Sequence, residues 1–312
     1  MSIALLNSLG KRREPFLFIS DFKGENIEVI LAQDLEKENV AFKIDESFVH
    51  KKHTHILEIF PVDFSEYKQK FDKILEKIHS GETYVLNLTQ PTKVKTPLSL
   101  SKIFEVTNAH YKLYYKDKFV CFSPEKFIQI SKDTIHTFPM KGTIDAGIPN
   151  AEKKILANEK EMAEHIMIVD LLRNDLSIVA KEVNVEKFRY ITELNAGRKK
   201  LLQVSSHISG ELASDWHENI GSILEALLPA GSISGAPKKS TVEIIEKVEE
   251  YKRDYFSGVF GYYDGETLDS GVMIRFIEKT EESLIYKSGG GITLDSDALL
   301  EYNELQDKIY LP

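Results

Sequence analysis

One stretch, Thr137-Phe138-Pro139-Met140-Lys141-Gly142-Thr143, limits what this chain can build more than any other. It sets a single amine between a proline and a glycine in an apolar, strand-like run. Proline fixes its own φ and glycine admits backbone angles closed to other residues, so the segment is expected to end a strand in an irregular shape. Lys141 then has two readings. It snorkels from a turn with its ammonium in water, or it is partly desolvated, loses its proton and acts as a nucleophile. The second reading expects an amine pKa depressed by burial or by nearby cations.

The rest of the chain must supply a setting for that amine. With 312 residues it can bury a full core, and 42% hydrophobic with 29% charged residues is the composition of a globular protein. One domain over residues 1–312 is expected, with an N-terminal portion over 1–60 and the main part over 61–312. A net charge of −9 disfavours nonspecific nucleic-acid binding, which needs clustered Lys and Arg. No apolar run reaches membrane-spanning length. The only cysteine, Cys121, lies in an apolar strand pattern, which excludes an intrachain disulfide framework and suits a reducing cytoplasm.

Taken in order, residues 15–60 read as short strands and loops. Tyr67, Phe71, Ile74, Leu75 and Ile78 recur at helical spacing, with Ser65 as cap and Gly81 as stop. A buried strand follows over Thr83 to Leu88, then a helix over Ser99 to His110. Ser123-Pro124-Glu125 reads as a cap, a first-turn proline and a carboxylate at a helix start. The longest helical pattern runs from about Glu152 to Leu176, with Glu161 and Glu164 neighbours on one face. Val179 to Val204 reads as strands and loops, with the basic stretch Arg198-Lys199-Lys200 as a solvated turn. The loop Leu228 to Lys238 enters a helix that ends near Glu249, a start that suits an anion, although the Gly-Lys pair of a P-loop is missing.

The last seventy residues read as a strand meander. Arg275 falls in the middle of an apolar strand and therefore needs an anionic partner. Gly289, Gly290 and Gly291 end the next strand without side chains, so a ligand can approach the backbone. Asp295 or Ser296 is expected to cap a final helix that carries Glu301, Glu304 and Lys308 on one face. Two helices, each with glutamates three apart, offer four hard oxygens to a cation such as Mg²⁺. An arginine, a glycine edge and a lysine beside that cation would suit a small dicarboxylate.

The blocks GETY (81–84), SPE (123–125), PMKGT (139–143), EMAEHIMIVDLLRND (161–175), GSISGAPK (231–238), GGGI (289–292) and EYNE (301–304) occur in the order seen in the chorismate-utilising enzymes. The resemblance covers about Gly81 to Lys308. It implies an α/β fold, a two-sheet mixed or antiparallel sandwich flanked by helices. Lysine at 141, where anthranilate synthases carry alanine, resembles the aminodeoxychorismate synthase component I branch. That branch makes 4-amino-4-deoxychorismate from chorismate and ammonia for para-aminobenzoate and folate synthesis.

By the same resemblance Lys141 would attack C2 of chorismate while Glu125 protonates the departing C4 hydroxyl, and ammonia would enter at C4. Glu164 and Glu304 would ligate Mg²⁺ with Glu161 and Glu301 close by. Thr143, Ser232, Arg275, Lys308 and the glycine edge would hold the substrate. With no glutaminase motif in the chain, a separate glutamine amidotransferase subunit is the implied source of ammonia. Three departures stand out. Val85 occupies the position of the lysine base in water-adding relatives. Gln203 replaces a usual histidine, and Phe256 a frequent tyrosine of the substrate shell. The alternatives are anthranilate synthase component I and a non-catalytic chorismate-binding subunit.

Overall fold

The computed structural model describes residues 2–44, 57–196 and 199–312, so Arg198 of the basic stretch lies outside the described residues. The first part holds α1 (Ser2–Lys11), β1 (Phe16–Ser20), β2 (Ile27–Leu31), β3 (Val40–Ile44), β4 (Glu58–Phe60) and α2 (Phe64–His79). Next come β5 (Val85–Lys95), α3 (Leu100–Val106), β6 (Tyr111–Tyr115), β7 (Phe119–Ser123), β8 (Lys126–Ser131), β9 (Thr134–Thr137) and β10 (Met140–Asp145). The middle holds α4 (Ala151–Leu156), α5 (Glu159–Val179), β11 (Lys181–Ala196), β12 (Lys199–Glu211) and α6 (Ile220–Leu227). The last part holds β13 (Gly235–Ala236), α7 (Lys238–Glu249), β14 (Val259–Tyr263), β15 (Leu268–Val272), β16 (Phe276–Lys279), β17 (Leu284–Ile292) and α8 (Ala298–Asp307).

Two sheets form, and every pairing in them is antiparallel. The first runs β10-β12-β9-β8-β15-β14-β1-β2, with β11 on the far side of β12. The second runs β13-β5-β17-β16-β7-β6-β3, with β4 beside β5. Leu17, Ile19 and Phe260 of the first sheet meet Leu113, Cys121 and Phe276 of the second in one apolar cluster. Cys121 is fully buried there, and burial pushes its thiol well above the ordinary range, so it is a packing residue. Phe256 belongs to the same cluster. A larger cluster joins the other face of the first sheet to helices α2, α5, α6 and α7. No described helix is long and apolar enough to cross a membrane.

Several local expectations shift by a few residues. Asp63, not Ser65, caps α2, its carboxylate accepting from the Ser65 N–H. Asp297, just past the two expected candidates, caps α8 by accepting from Leu299 and Leu300. The pattern read as one helix over 152–176 is two, because Asn158 leaves the helix and caps α5 by accepting from Glu161. The helix expected over Ser99 to His110 ends at Val106, and Ser99 caps it by accepting from Lys102 N–H.

A buried network fixes β5, the strand that later lines the cleft. The Arg253 guanidinium donates to Glu249 at 2.8 and 2.6 Å and to the Asn87 carbonyl at 2.6 Å, while Glu249 accepts from the Thr89 N–H at 2.8 Å. Both charged side chains are almost fully buried, at 2% and 1% exposure. Removing one partner strands the other in a low-dielectric interior. Glu249→Ala is therefore expected to lower the unfolding free energy by about 3–5 kcal/mol in urea titration. A loss typical of a surface substitution would show that β5 is held by other contacts.

Candidate active site

At two neighbouring points a strand of one sheet leads within a few residues into a strand of the other. At the first passage β7 ends at Ser123 and β8 begins at Lys126, with Pro124 and Glu125 between. At the second, β15 ends at Val272 and β16 begins at Phe276, with Arg275 between at a φ of 53°. Backbone bonds join them: Phe122 N–H donates to the Arg275 carbonyl and Val272 N–H to the Glu125 carbonyl, both at 3.1 Å. Glu125 is thus not in the first turn of a helix, because pairing of β8 with β15 and β9 overrides the local cap-proline signal. Arg275 is not mid-strand, because the run read as one strand belongs to two sheets. The change of sheet turns both side chains into the seam between them.

Lys141 sits in a β-bulge of β10. Met140 and Thr143 pair with Ser205 and Gln203, so three steps on one strand match two on the other. Gly142 takes the φ of 86° that such a bulge asks of glycine, and a Cβ there would also meet the Glu161 carboxylate at 3.0 Å. The Lys141 amine donates to Glu164 Oε2 on α5 at 3.1 Å. Opposite, a Cβ on Gly291 would lie 3.3 Å from the amine and 3.8 Å from Val85. The bulge breaks the alternation that would put residue 143 beside residue 141. Thr143 is exposed and does not line the cleft, contrary to the expectation for it.

The final helix faces α5 across this point. Lys308 Nζ donates to Glu304 at 2.7 Å and to the Gly289 carbonyl at 2.9 Å. A Cβ on Gly290 would lie 3.4 Å from Glu301 Oε2 and 3.6 Å from Lys308 Nζ, so the bare glycine edge leaves room for both. Glu301 also accepts from the Ser296 hydroxyl at 2.8 Å. Burial, reinforced by Glu164, raises the pKa of Glu161; burial, reinforced by Glu304, raises that of Glu301. Burial alone would raise Glu304 too, but Lys308 pulls it below the ordinary range.

Burial is the largest single influence on Lys141 and pulls its pKa down, yet Glu164, Glu304 and Glu161 together carry it above the ordinary lysine value. The expectation of a depressed amine is corrected accordingly, since carboxylates and not cations dominate its surroundings. Glu125 is raised by burial, an effect only partly offset by the Ser232 hydroxyl and by Lys141, Arg275 and Lys308.

These groups border a cleft of about 410 Å³, counting space open to solvent, lined by Val85, Asn87, Lys141, Glu164, Ser232, Gly291 and their neighbours. A second cleft of about 360 Å³ lies behind it, reached from Glu125 and sharing Ser232. The chemistry on offer is one amine, one protonatable carboxyl, two further cations and four clustered carboxylates. The sequence model of chorismate binding enzymes matches residues 16–311.

The chain belongs to the chorismate binding enzyme family. It is similar to an uncharacterized PabA-like protein of Haemophilus influenzae, 47% identical over 98% of this chain and 94% of that one. Aminodeoxychorismate synthase component 1 of Bacillus subtilis is 32% identical, matching 80% of this chain and 56% of that enzyme. Among solved structures, the menaquinone-specific isochorismate synthase of Escherichia coli shares the fold, with a TM-score of 0.73 over 97% of this chain and 79% of that one at 16% identity. Chorismate is the substrate class of this family, and its members convert it.

Of the residues expected at such a site, Glu125, Lys141, Glu161, Glu164, Ser232, Arg275, Gly289, Gly290, Gly291, Glu301, Glu304 and Lys308 gather at the seam or on the two helices that flank it. Sequence reading missed Asn87, which shares the cleft wall with Val85 two residues away on β5, a period it could have used. It also passed over the Asp175–Lys238 pair, 3.0 Å apart under Gly231. The loop before α7 is tied to β5 and the residue before it, the Ala236 carbonyl accepting from Tyr84 N–H and the Ser234 carbonyl from Asn87 N–H.

The raised Glu125 has a measurable consequence for stability. Its folded pKa exceeds its unfolded one, so its favourable contribution is complete below the ordinary carboxyl range and is lost as pH rises through the folded value. Glu125→Gln cannot ionise, so its melting temperature relative to the native chain should improve steadily as pH rises towards neutrality. A difference that stays constant or moves the other way would show that Glu125 is not held protonated by burial.

Proposed function

We propose that this chain is an aminodeoxychorismate synthase component I, converting chorismate and ammonia to 4-amino-4-deoxychorismate. The observation that carries the reading is a lysine amine in the cleft, against Gly291 and 3.1 Å from Glu164, with unreactive Val85 on the same wall. In this reaction the neutral Lys141 amine bonds to C2 of the ring, and the C4 hydroxyl leaves as water with a proton from Glu125. Ammonia then bonds to C4 as the C2–N bond breaks, and the pyruvyl ether is kept. Covalent catalysis divides one hard displacement into two easier ones. Glu125 suits its role because burial raises its pKa, which favours the protonated acid. Arg275, Lys308 and Ser232 hold the substrate's carboxylates, and Val85 leaves no base to activate water in place of ammonia.

The four glutamates of α5 and α8 fit a hard dication: all donors are carboxylate oxygens, and burial, reinforced by the neighbouring carboxylates, raises Glu161 and Glu301. Among the described residues no three such groups already converge as a metal cluster, because Lys141 holds Glu164 and Lys308 holds Glu304. Glu164 and Glu304, with Glu161 and Glu301 behind them, would hold Mg²⁺ once those lysines turn to substrate. Mg²⁺ bound there supplies positive charge to a substrate carboxylate.

Chromatography of products from chorismate, Mg²⁺ and ammonium should show 4-amino-4-deoxychorismate and no anthranilate. Glutamine should replace ammonium only when a separate amidotransferase subunit is added. Lys141→Ala should fold yet aminate more slowly by orders of magnitude, and without ammonia the native chain should gain one ring adduct at Lys141 by intact mass. Direct anthranilate formation or chorismate binding without turnover would overturn the assignment, and a fully active Lys141→Ala would overturn the covalent mechanism.

Excess chelator should abolish turnover, and Glu304→Gln should weaken the metal dependence and the rate together. Full activity in chelator would remove Mg²⁺ from the reading.

A further inference from the structure

Strand β12 faces a bulge on each side, that of β10 opposite residues 203–205 and that of β11 opposite residues 205–207. Against β10 the bulge holds Lys141 and Gly142; against β11, Lys187 and Tyr190 pair with His207 and Ser205, and the bulge holds Arg189 at a φ of 49°. Ser206 lies between the two. Its N–H donates to the Pro139 carbonyl at 2.9 Å, two residues before Lys141, and its Oγ accepts from the Arg189 N–H at 3.0 Å. That same Oγ lies 2.7 Å from Nε2 of His165, a fully buried residue next in sequence to Glu164. The Arg189 guanidinium donates to the carbonyls of Leu156 and Ile155, tying the second bulge to the end of α4.

Ser206 Oγ accepts the Arg189 N–H and keeps a second lone pair and its own proton, so it meets His165 Nε2 in either direction. The ring also interacts with the Lys141 backbone, although Nδ1 closes no hydrogen bond of good geometry. A buried polar atom left open is costly and rare, so its place beside the lysine's own backbone asks for a reason. A histidine that merely joined a helix to a sheet would need only the bond to Ser206.

We propose that His165 and Ser206 are a positioning pair for Lys141: they lock the β10 bulge to α5, so that one helix sets both the amine and its partner Glu164. The proposal rests on reading Lys141 as the nucleophile. The role is geometric and requires no charge on the imidazole. Ser206 holds the strand just before the bulge, His165 holds Ser206 to α5, and the ring lies against the Lys141 backbone. A reacting group moved by about 1 Å loses about 100-fold in rate, so small slack here is enough to matter.

The test uses His165→Phe, which keeps most of the ring volume without nitrogens, with Ser206→Ala and His165→Gln beside it. Two readouts are taken on folded protein, matched by melting temperature and circular dichroism. The first is turnover and adduct formation on Lys141; kcat should fall at least about tenfold in His165→Phe and Ser206→Ala with KM for chorismate little changed. His165→Gln, whose amide can still meet Ser206, should recover part of the loss. The second is the labelling rate of Lys141 by an amine-acylating reagent, read by peptide mass. It should change in His165→Phe and Ser206→Ala while other lysines keep their rates.

Native labelling at Lys141 in both variants overturns the proposal, whether or not activity falls, because the pair would then be structural only. If the native chain forms no adduct and Lys141→Ala is active, the covalent reading fails, and the labelling arm still decides whether the pair positions the amine. Should His165→Phe not fold, Ser206→Ala carries the same two readouts.

Discussion

The ion pair between Lys141 and Glu164 is the contact on which the cleft depends. Both members are partly withdrawn from water, Lys141 at 32% and Glu164 at 14% exposure, so each gains from the other's charge. Further charges are paired around them. Lys308 answers Glu304, Lys160 lies 3.9 Å from Glu164, and the cations Arg275 and Lys308 both act on the buried Glu125. The cleft is a set of charges in which removal of one sign exposes the other. An anionic substrate and a cation can exchange into such a set without leaving any charge bare, which an apolar pocket could not allow.

Irregular backbone is what brings these charges together. A regular antiparallel ladder points successive side chains to opposite faces and keeps each strand in one sheet. Here the rule is broken at the functional positions: Lys141 and Gly142 in a bulge, Arg275 at a positive φ between two sheets, and Glu125 on the adjoining passage. The cost of those departures is carried by regular structure nearby, including the buried Arg253–Glu249 network behind β5 and the two-sided support of β12. The glycine edge of β17 then admits the lysine amine where any side chain would fill the space.

The electrostatic surroundings also separate the roles of the ionisable groups. Glu125 is desolvated more than it is attracted, which favours its protonated form. Glu304 is attracted more than it is desolvated, so it stays ionised. Lys141 is held protonated by three carboxylates, and freeing its amine requires that their charge be answered by something else at the moment of reaction. One site thus keeps an acid, an anion and a cation poised within a single cluster, with burial and neighbours deciding each case.

Several things were fixed by the sequence alone. The 3.6-residue periods that place Glu161 beside Glu164 and Glu301 beside Glu304 follow from helix geometry, and the caps at Ser99 and near residue 297 follow from local hydrogen bonding. The proline and glycine around Lys141 announced an irregular strand. The ordered blocks named the family. The tertiary structure decided what depends on distant partners. The chain between Leu268 and Lys279 is one apolar run in sequence but serves two sheets, because β15 pairs with β14 and β8 while β16 pairs with β17 and β7. The Ser-Pro-Glu signal gave way to a strand for the same reason. The direction in which Lys141 titrates was likewise beyond the sequence, since it is set by carboxylates 20 and more residues away that only folding brings within reach. Local propensity acts over a few residues, while pairing partners and electrostatic neighbours act across the whole chain, and at this site the second prevailed.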